Sequence, residues 1–372
     1  MEFIKGTYTD AVIFSDSAEP YAKAQVQLLC DLQAAADSKI RMMPDIHPGR
    51  IGPVGLTMTV SQRVMPGLLG VDLGCGMTCA AIKGKHMELQ KLDTYIRQNI
   101  PAGFQIRQKE HFLSKDFQPD DFHCARHLNR QKAVLSLGSL GGGNHFIEID
   151  KASDGQLWII IHSGSRHLGG EVAGCYMKAA QENLRQNGFD VPYEQVWLDG
   201  QMMRMYAEDV EVAAAYASLN RRIMLQEICK AMKWKIVDVF ESVHNYLEDA
   251  NGGYMLRKGA ASAKRGEAVI IPVNMRDGVL LGRGRGNEDW NCSAPHGAGR
   301  VLRRDQARQQ YTVAAFKKEM QGIYCSCISA DTLDEAPFAY RTMEDIRGCI
   351  ADSVEITDVL KPVYNFKAGS RK

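Results

Sequence analysis

Two side chains able to hold a cation lie three residues apart in Val71-Asp72-Leu73-Gly74-Cys75-Gly76-Met77. Asp72 offers a hard carboxylate oxygen and Cys75 a soft sulfur. Gly74 and Gly76 flank the sulfur, so the backbone can bend until both groups face one point. That combination suits a metal ion, although a cysteine between glycines is by itself more often a small buried apolar residue. Histidines farther along change the balance. His145 follows the loop Gly138-Ser139-Leu140-Gly141-Gly142-Gly143-Asn144, His162 ends the apolar run Leu157-Trp158-Ile159-Ile160-Ile161, and His244 sits in the apolar edge Glu241-Ser242-Val243-His244-Asn245-Tyr246. Together Asp72, Cys75, His145, His162 and His244 exceed what one tetrahedral ion with an open position needs, and a thiolate can bridge, so two metals is the economical reading. Thiolate and imidazole favour zinc, whereas the carboxylate and open positions also admit manganese.

His296, in Pro295-His296-Gly297-Ala298-Gly299-Arg300, is left over. A neutral imidazole beside a metal-held phosphate is a competent nucleophile, and nearby cations stabilise phosphoryl charge as it develops. The charge distribution supplies those cations. From Arg257 to Arg308 eleven Lys or Arg face five Asp or Glu, in a chain whose net charge is only +1. The excess suits phosphates; a solvated loop face is the plainer alternative. Three successive glycines before Asn144 let backbone N–H groups approach an anion, though no Walker lysine follows. Met43-Pro44-Asp45-Ile46-His47-Pro48-Gly49 reads as a fixed turn, with Asp45 and His47 either outer partners of a ligand or caps of the turn.

The elements that must position these residues are legible in outline. Gly67 to Val71 reads as a buried strand, followed by a tight turn and a second strand over Thr78 to Ile82. A helix is predicted over Tyr21–Ala36, entered through Pro20. Residues 85–132 read as polar helical pieces in which His123 and His127 could share a face. A strand follows the glycine loop, with His145, Ile147 and Ile149 on one face and Phe146 and Glu148 on the other. Residues 170–234 read as a helical layer over the sheet or an insertion. Arg257 to Gly266 reads as a basic loop, and Ala268 to Val273 as a strand. The expectation is an α+β fold, a single catalytic unit over 1–372, with apolar strands carrying the site and helices outside.

At 372 residues and 45% hydrophobic composition the chain can bury a large core. Its ten cysteines lack the dense spacing of a secreted disulfide framework, and neither a signal core nor an uncharged run long enough to span a bilayer is found. Reduced thiols and a cytoplasmic location follow as expectations.

Taken in order, Met43-Pro44-Asp45-Ile46-His47-Pro48-Gly49, Gly70 to Met77, Gly141-Gly142-Gly143-Asn144-His145-Phe146-Ile147-Glu148, His162-Ser163-Gly164-Ser165-Arg166, His244-Asn245, Arg257-Lys258-Gly259-Ala260 and His296-Gly297-Ala298-Gly299-Arg300 resemble the successive motifs of the RtcB family of RNA ligases. The resemblance implies GTP- and manganese-dependent joining of RNA ends bearing a 2′,3′-cyclic phosphate or 3′-phosphate to 5′-hydroxyl ends. It implies that Cys75 bridges two Mn2+ ions, Asp72 and His145 completing one site and His162 and His244 the other. His296 would take GMP from GTP and pass it to the RNA 3′-phosphate, and the 5′-hydroxyl would then displace it. By the same resemblance Asp45, Arg300 and Lys258 join the catalytic set. Asn144 and Asn245 would contact phosphate, Glu148, Tyr340 and Lys367 the guanine, and Asn274 with Gly297, Ala298 and Gly299 would complete the nucleotide site. An archease-type activator and a monomer or weak dimer are further expectations.

Family members commonly read Pro-Gly-Ser-Met-Gly where this chain has Pro272-Val273-Asn274-Met275-Arg276, which alters the nucleotide pocket. The segment between His145 and His162 is short and the chain compact, as in a specialised RNA-repair paralogue. Two other functions use part of the same residues. A two-metal phosphodiesterase acting on RNA ends needs the five ligands but neither a nucleophilic His296 nor a guanine pocket. A metal-stabilised RNA-binding module needs no catalysis at all.

Overall fold

In the computed structural model, which describes residues 1–84, 86–250 and 252–369, two antiparallel-dominated sheets meet near the residues singled out above. Seven strands form the larger sheet, in the spatial order Lys235–Val243, Gly76–Lys83, Leu157–Ser163, Phe146–Lys151, Val354–Lys367, Gly278–Gly284, Ala268–Asn274. The smaller has six, Glu2–Lys5, Asp10–Ile13, Ile40–His47, Val54–Val60, Gly253–Lys258 and Asn245–Ala250, with one parallel pair between the second and third. His244 is the single residue between Val243, at the end of an edge strand of the first sheet, and Asn245, at the start of an edge strand of the second. The fold is α+β, with helices outside the sheets.

Period-2 alternation explains how the larger sheet divides its two faces. Ile147, Ile149, Ile159 and Ile161 point to a core shared with Met224 and Ile228 of the long helix Gly200–Met232. Phe146, Ile160 and Met77 point the other way and meet Ile270, Val279 and Leu360 from the far end of the same sheet, which therefore curls over on itself. The strand Val354–Lys367 alternates likewise. Tyr364 and Phe366 lie in the helix-side core, which turns Asn365 and Lys367 to the opposite face, level with Glu148 and Phe146 of the paired strand.

Several expectations need correction. Pro66–Leu69 is a short helix rather than a strand, because Pro66 occupies its first turn and Gly70 leaves it at φ 68. Met43 to His47 belongs to the strand Ile40–His47 instead of a turn. Pairing with Val54–Val60 breaks between Met42 and His47, which is where Pro44 can sit without costing a ladder bond. The helix predicted to reach Ala36 ends at Cys30, with a separate 3-10 turn over Gln33–Ala35. Arg257 and Lys258 end one strand and Ala260–Ser262 form another, so this stretch is not a loop, and Arg257 is 1% exposed because Glu248, Tyr246 and Ser293 pair it. His123 and His127 do not converge: His123 bonds Glu208, and His127 accepts from Arg126. The helical region expected over 170–234 is present as two helices, Arg166–Gln186 and Gly200–Met232.

The long helix does more than cover the sheet. Asn220 and Arg221 are both 0% exposed. Asn220 accepts from the backbone N–H of Gly138 and Ser139 at 2.7 and 3.0 Å and donates to Ser139 O, Ser163 Oγ and Gly164 O. Arg221 donates to Gly74 O at 3.1 Å, Ser163 O at 2.9 Å and Thr78 Oγ1, and pairs with Glu241. Two adjacent residues thus satisfy the carbonyls of three turns that carry Cys75, His145 and His162. Arg221→Met would orphan those acceptors and leave Glu241 without its cation. The expected loss is about 3 kcal/mol of stability, read by urea denaturation; a change below about 0.5 kcal/mol would contradict the assignment.

Candidate metal and nucleotide site

Four adjacent strands of the larger sheet end in one row, and the ligand-type residues lie along it. Gly76 is opposite both Val243 and Ser163, and Phe146 is opposite His162. Cys75, His145 and His244 each lie one residue beyond a strand of that row. His244 N–H donates to Cys75 O at 2.9 Å, fixing the two chain segments against each other. A Cβ on Gly164 would lie 2.2 Å from Asp72 Oδ1, so any larger residue there would push the Asp72 carboxylate from its place.

The side chains converge as the row requires. Cys75 Sγ lies 3.3 Å from His162 Nε2 and 3.5 Å from His145 Nε2. His162 Nε2 lies 3.3 Å from His244 Nε2, and His145 Nε2 3.6 Å from Asp72 Oδ2. Two donor groups result, Cys75–His162–His244 and Asp72–Cys75–His145, sharing the sulfur. Separations of this size are those of ligands bound to a common ion at about 2.0–2.3 Å. The chemistry of the donors fits cations. His162 donates Nδ1–H to Asn144 O at 3.2 Å, which leaves Nε2 with its lone pair. Burial holds the imidazoles of His162 and His244 neutral, well below their usual range. Burial and the Asp72 charge push the Cys75 thiol well above its ordinary value. Asp72 feels burial as well, but the hydrogen bond and charge of His145 bring its carboxyl down to about 2.

His296 stands next to this cluster. Its ring centroid is 4.9 Å from that of His244, and its Nδ1 donates to Asp45 Oδ2 at 2.7 Å. The same carboxylate oxygen accepts the His296 backbone N–H at 3.2 Å, and Asp45 is 0% exposed. With Nδ1 so occupied, Nε2 carries the lone pair. Gly299, at φ 76, lets the following loop pass Asp45, where a Cβ would come within 3.0 Å of the Asp45 Cα.

A cavity of about 530 Å³ opens on His296 and on His162, the one residue of the ligand cluster that reaches its wall. Asn144, Asn274, Gly297, Ala298, Gly299 and Arg300 lie on its wall. Its far end is polar, formed by the buried Glu148, Asn365 and Lys367 and the half-buried Tyr340. Burial raises the Glu148 carboxyl to about 7, against hydrogen bonds and the Lys367 charge that lower it. For Lys367 the order is reversed: burial pulls it down, yet Glu335 and Tyr340 hold the ammonium above its usual value.

Two expected members stand elsewhere. Lys258 does not line the cavity; its ammonium donates to the carbonyls of Ile51 and Gly52, and burial lowers it to about 8. Asn245 turns its amide to Leu69 O and Asp72 O at 2.9 and 2.8 Å, bracing the Asp72 turn. Asn274 reaches the wall but spends its side chain on Arg276 N, Asp277 N and the Asp277 carboxylate.

Sequence reasoning missed Glu335. Its carboxylate accepts from Tyr340 at 2.6 Å and Lys367 at 2.8 Å and pairs with Arg300 and Arg304, and despite burial these cations lower it to about 2. The signal was present. Asp334 and Glu335 sit in the otherwise apolar run Leu333 to Ala339, where buried carboxylates require cationic partners. Arg221 and Asn220 gave no comparable signal within a helix.

Comparison with known proteins bears on this geometry. A family model described as tRNA-splicing ligase RtcB matches residues 25–368. The chain belongs to the RtcB family. It is 29% identical over 367 residues to the RNA-splicing ligase RtcB of Escherichia coli K12, covering 88% of this chain and 90% of that protein. It is 30% identical over 363 residues to RNA-splicing ligase RtcB2 of another E. coli strain, covering 89% and 88%. The tRNA-splicing ligase RtcB of Nanoarchaeum equitans is 26% identical over 401 residues, with 82% of each chain covered. Among the described residues no helix of this RtcB-family chain is long and apolar enough to cross a membrane.

Metal uptake in this cluster has a defined pH dependence. Between pH 7 and 8 Asp72 is ionised, His162 and His244 are neutral and Cys75 is a thiol, so binding expels the Cys75 proton. The apparent affinity for the first cation should rise about tenfold per pH unit, with matching proton release in calorimetry run in two buffers of different ionisation enthalpy. A pH-independent affinity would contradict a thiolate ligand.

Proposed function

We propose that this chain is an RNA ligase that joins a 2′,3′-cyclic phosphate or 3′-phosphate end to a 5′-hydroxyl end with GTP as the energy source, in RNA repair or tRNA splicing. The observation that carries this reading is the opening of His296 and the ligand His162 onto one nucleotide-sized cavity, with His296 Nδ1 held by Asp45. The relatives are named RNA-splicing and tRNA-splicing ligases, which supports RNA as the substrate. Ten cysteines, all unpaired, support a cytoplasmic setting.

Asp72, Cys75, His145, His162 and His244 would hold two Mn2+ ions, which supply Lewis-acid charge at phosphate oxygens. The chain's own residues do the rest. Asp45 fixes the His296 tautomer, so Nε2 faces the α-phosphorus of GTP and displaces pyrophosphate to give a phosphoramidate. Glu148 and Lys367 offer an acceptor and a donor to the edge of guanine at the far end of the cavity, and Tyr340 closes that end. Asn144 and the backbone of Gly297, Ala298 and Gly299 line the phosphate path. Arg300 is positioned by its stack over Tyr340, 4.9 Å from the ring centroid, and by Glu335. A cyclic end is first opened by water, which breaks the P–O2′ bond to leave a 3′-phosphate; the GMP then passes from His296 to that 3′-phosphate, and the 5′-hydroxyl of the second strand displaces GMP. Asn274 and Lys258, given their partners, act as supports of the nucleotide loop and of the Ile51–Gly52 turn. A two-metal phosphodiesterase would leave the His296–Asp45 pair and the polar base end without use.

Labelling with GTP radioactive at the α-phosphate in the presence of Mn2+ tests the reading. The expected product is an acid-labile, base-stable protein adduct, absent in His296→Ala and formed at least about 100-fold more slowly in Asp45→Asn, as when the carboxylate behind a catalytic histidine is removed. Retention of the adduct in His296→Ala would refute it.

A further inference from the structure

Beside the nucleotide cavity lies a second, of about 580 Å³, whose wall includes Lys132, Arg166, Arg304 and Arg308. Arg304 belongs to both walls. The glycine loop divides them: Asn144 faces the first cavity, Gly142 and Gly143 the second. Asp334 is the one carboxylate on the second wall, and Arg304 and Arg308 take its two oxygens at 2.7 and 2.8 Å. Four cations line that wall with one carboxylate, and although Arg304 also pairs with Glu335, Lys132 and Arg166 make no ion pair among the described residues. Arg166 is anchored by Ser139 Oγ at 3.0 Å and Gly103 O at 2.6 Å. Phe104, 68% exposed, stands on the same wall.

We infer that this second cavity seats the sugar-phosphate backbone of the substrate RNA next to its reacting end, with phosphates along Arg308 and Lys132 and a base against Phe104. The inference rests on the ligase reading above and adds to it the seat of the strand. Cations that continue from the reaction cavity through a shared arginine suit a polyanion whose end lies in the first cavity. An exposed aromatic ring set among cations is how single strands are held without sequence preference. Lys132 is exposed and makes no ion pair among the described residues, so its charge is available to a phosphate.

The test is direct binding, in Mn2+ without GTP, of a short single-stranded RNA ending in a 3′-phosphate to the full chain at several salt concentrations. Lys132→Glu should weaken binding about tenfold and flatten the salt slope by about one. Phe104→Ala should also weaken it about tenfold, through lost stacking. Lys230→Glu, the same charge change on the last turn of the long helix and on neither cavity wall, should stay within about twofold. GTP labelling of His296 without RNA should be the same in all four proteins. Unchanged RNA affinity in Lys132→Glu and Phe104→Ala, a wild type that binds no RNA, or an equal loss in Lys230→Glu overturns the inference. A wild type that shows the expected binding pattern but takes no label strikes the ligase reading and leaves the seat supported.

Discussion

A sulfur atom removed from water and set between imidazoles is the constraint on which the site depends. Cys75 Sγ is 3.3–3.5 Å from two ring nitrogens, and burial keeps the thiol protonated in the absence of a cation. Neutral His162 and His244 do not stabilise a thiolate, and the Arg221 charge offsets only part of the burial and the Asp72 charge. Two donor groups share the sulfur and offer one carboxylate between them, a set compatible with metal binding. The strands place the donors in a row, and the buried pair Asn220 and Arg221 holds the turns that aim them.

A second arrangement is built against the first. Asp45 comes from the six-stranded sheet and the cation ligands from the seven-stranded one, with His244 joining the two. The cavity wall therefore carries both His162 of the ligand cluster and the imidazole of His296 held by Asp45, and the larger sheet alone would not provide both. At its far end four cationic or phenolic groups surround Glu335. That network fixes Arg300, Tyr340 and Lys367 in place, so a ligand entering the cavity need not order them.

The legible part of this site was the part written as local patterns. Glycines beside Cys75, Asn144 and His296 announced turns, and the apolar run ending at His162 announced a buried strand. Alternation over Phe146 to Ile149 placed Glu148 opposite Ile147. What stayed hidden depended on partners distant in sequence. Arg257 and Lys258 look like solvent-facing cations until Glu248 and the Ile51 carbonyl are brought beside them. Asn245 follows a ligand and yet turns to backbone carbonyls, because the strand it begins points its amide at the Asp72 turn. Arg221 lies in a helix whose pattern is satisfied by packing alone, so nothing local marks it as the support of three turns. Pro44 misled toward a turn because a break in strand pairing cannot be read from one strand.

The central claim is that one sulfur serves two cations, and electron paramagnetic resonance of the chain loaded with Mn2+ tests it most directly. A thiolate shared by two ions predicts two Mn2+ per chain with an exchange-coupled spectrum that reverts to an isolated six-line signal or disappears in Cys75→Ala. A single uncoupled Mn2+ signal in the wild type at saturating metal would contradict the account.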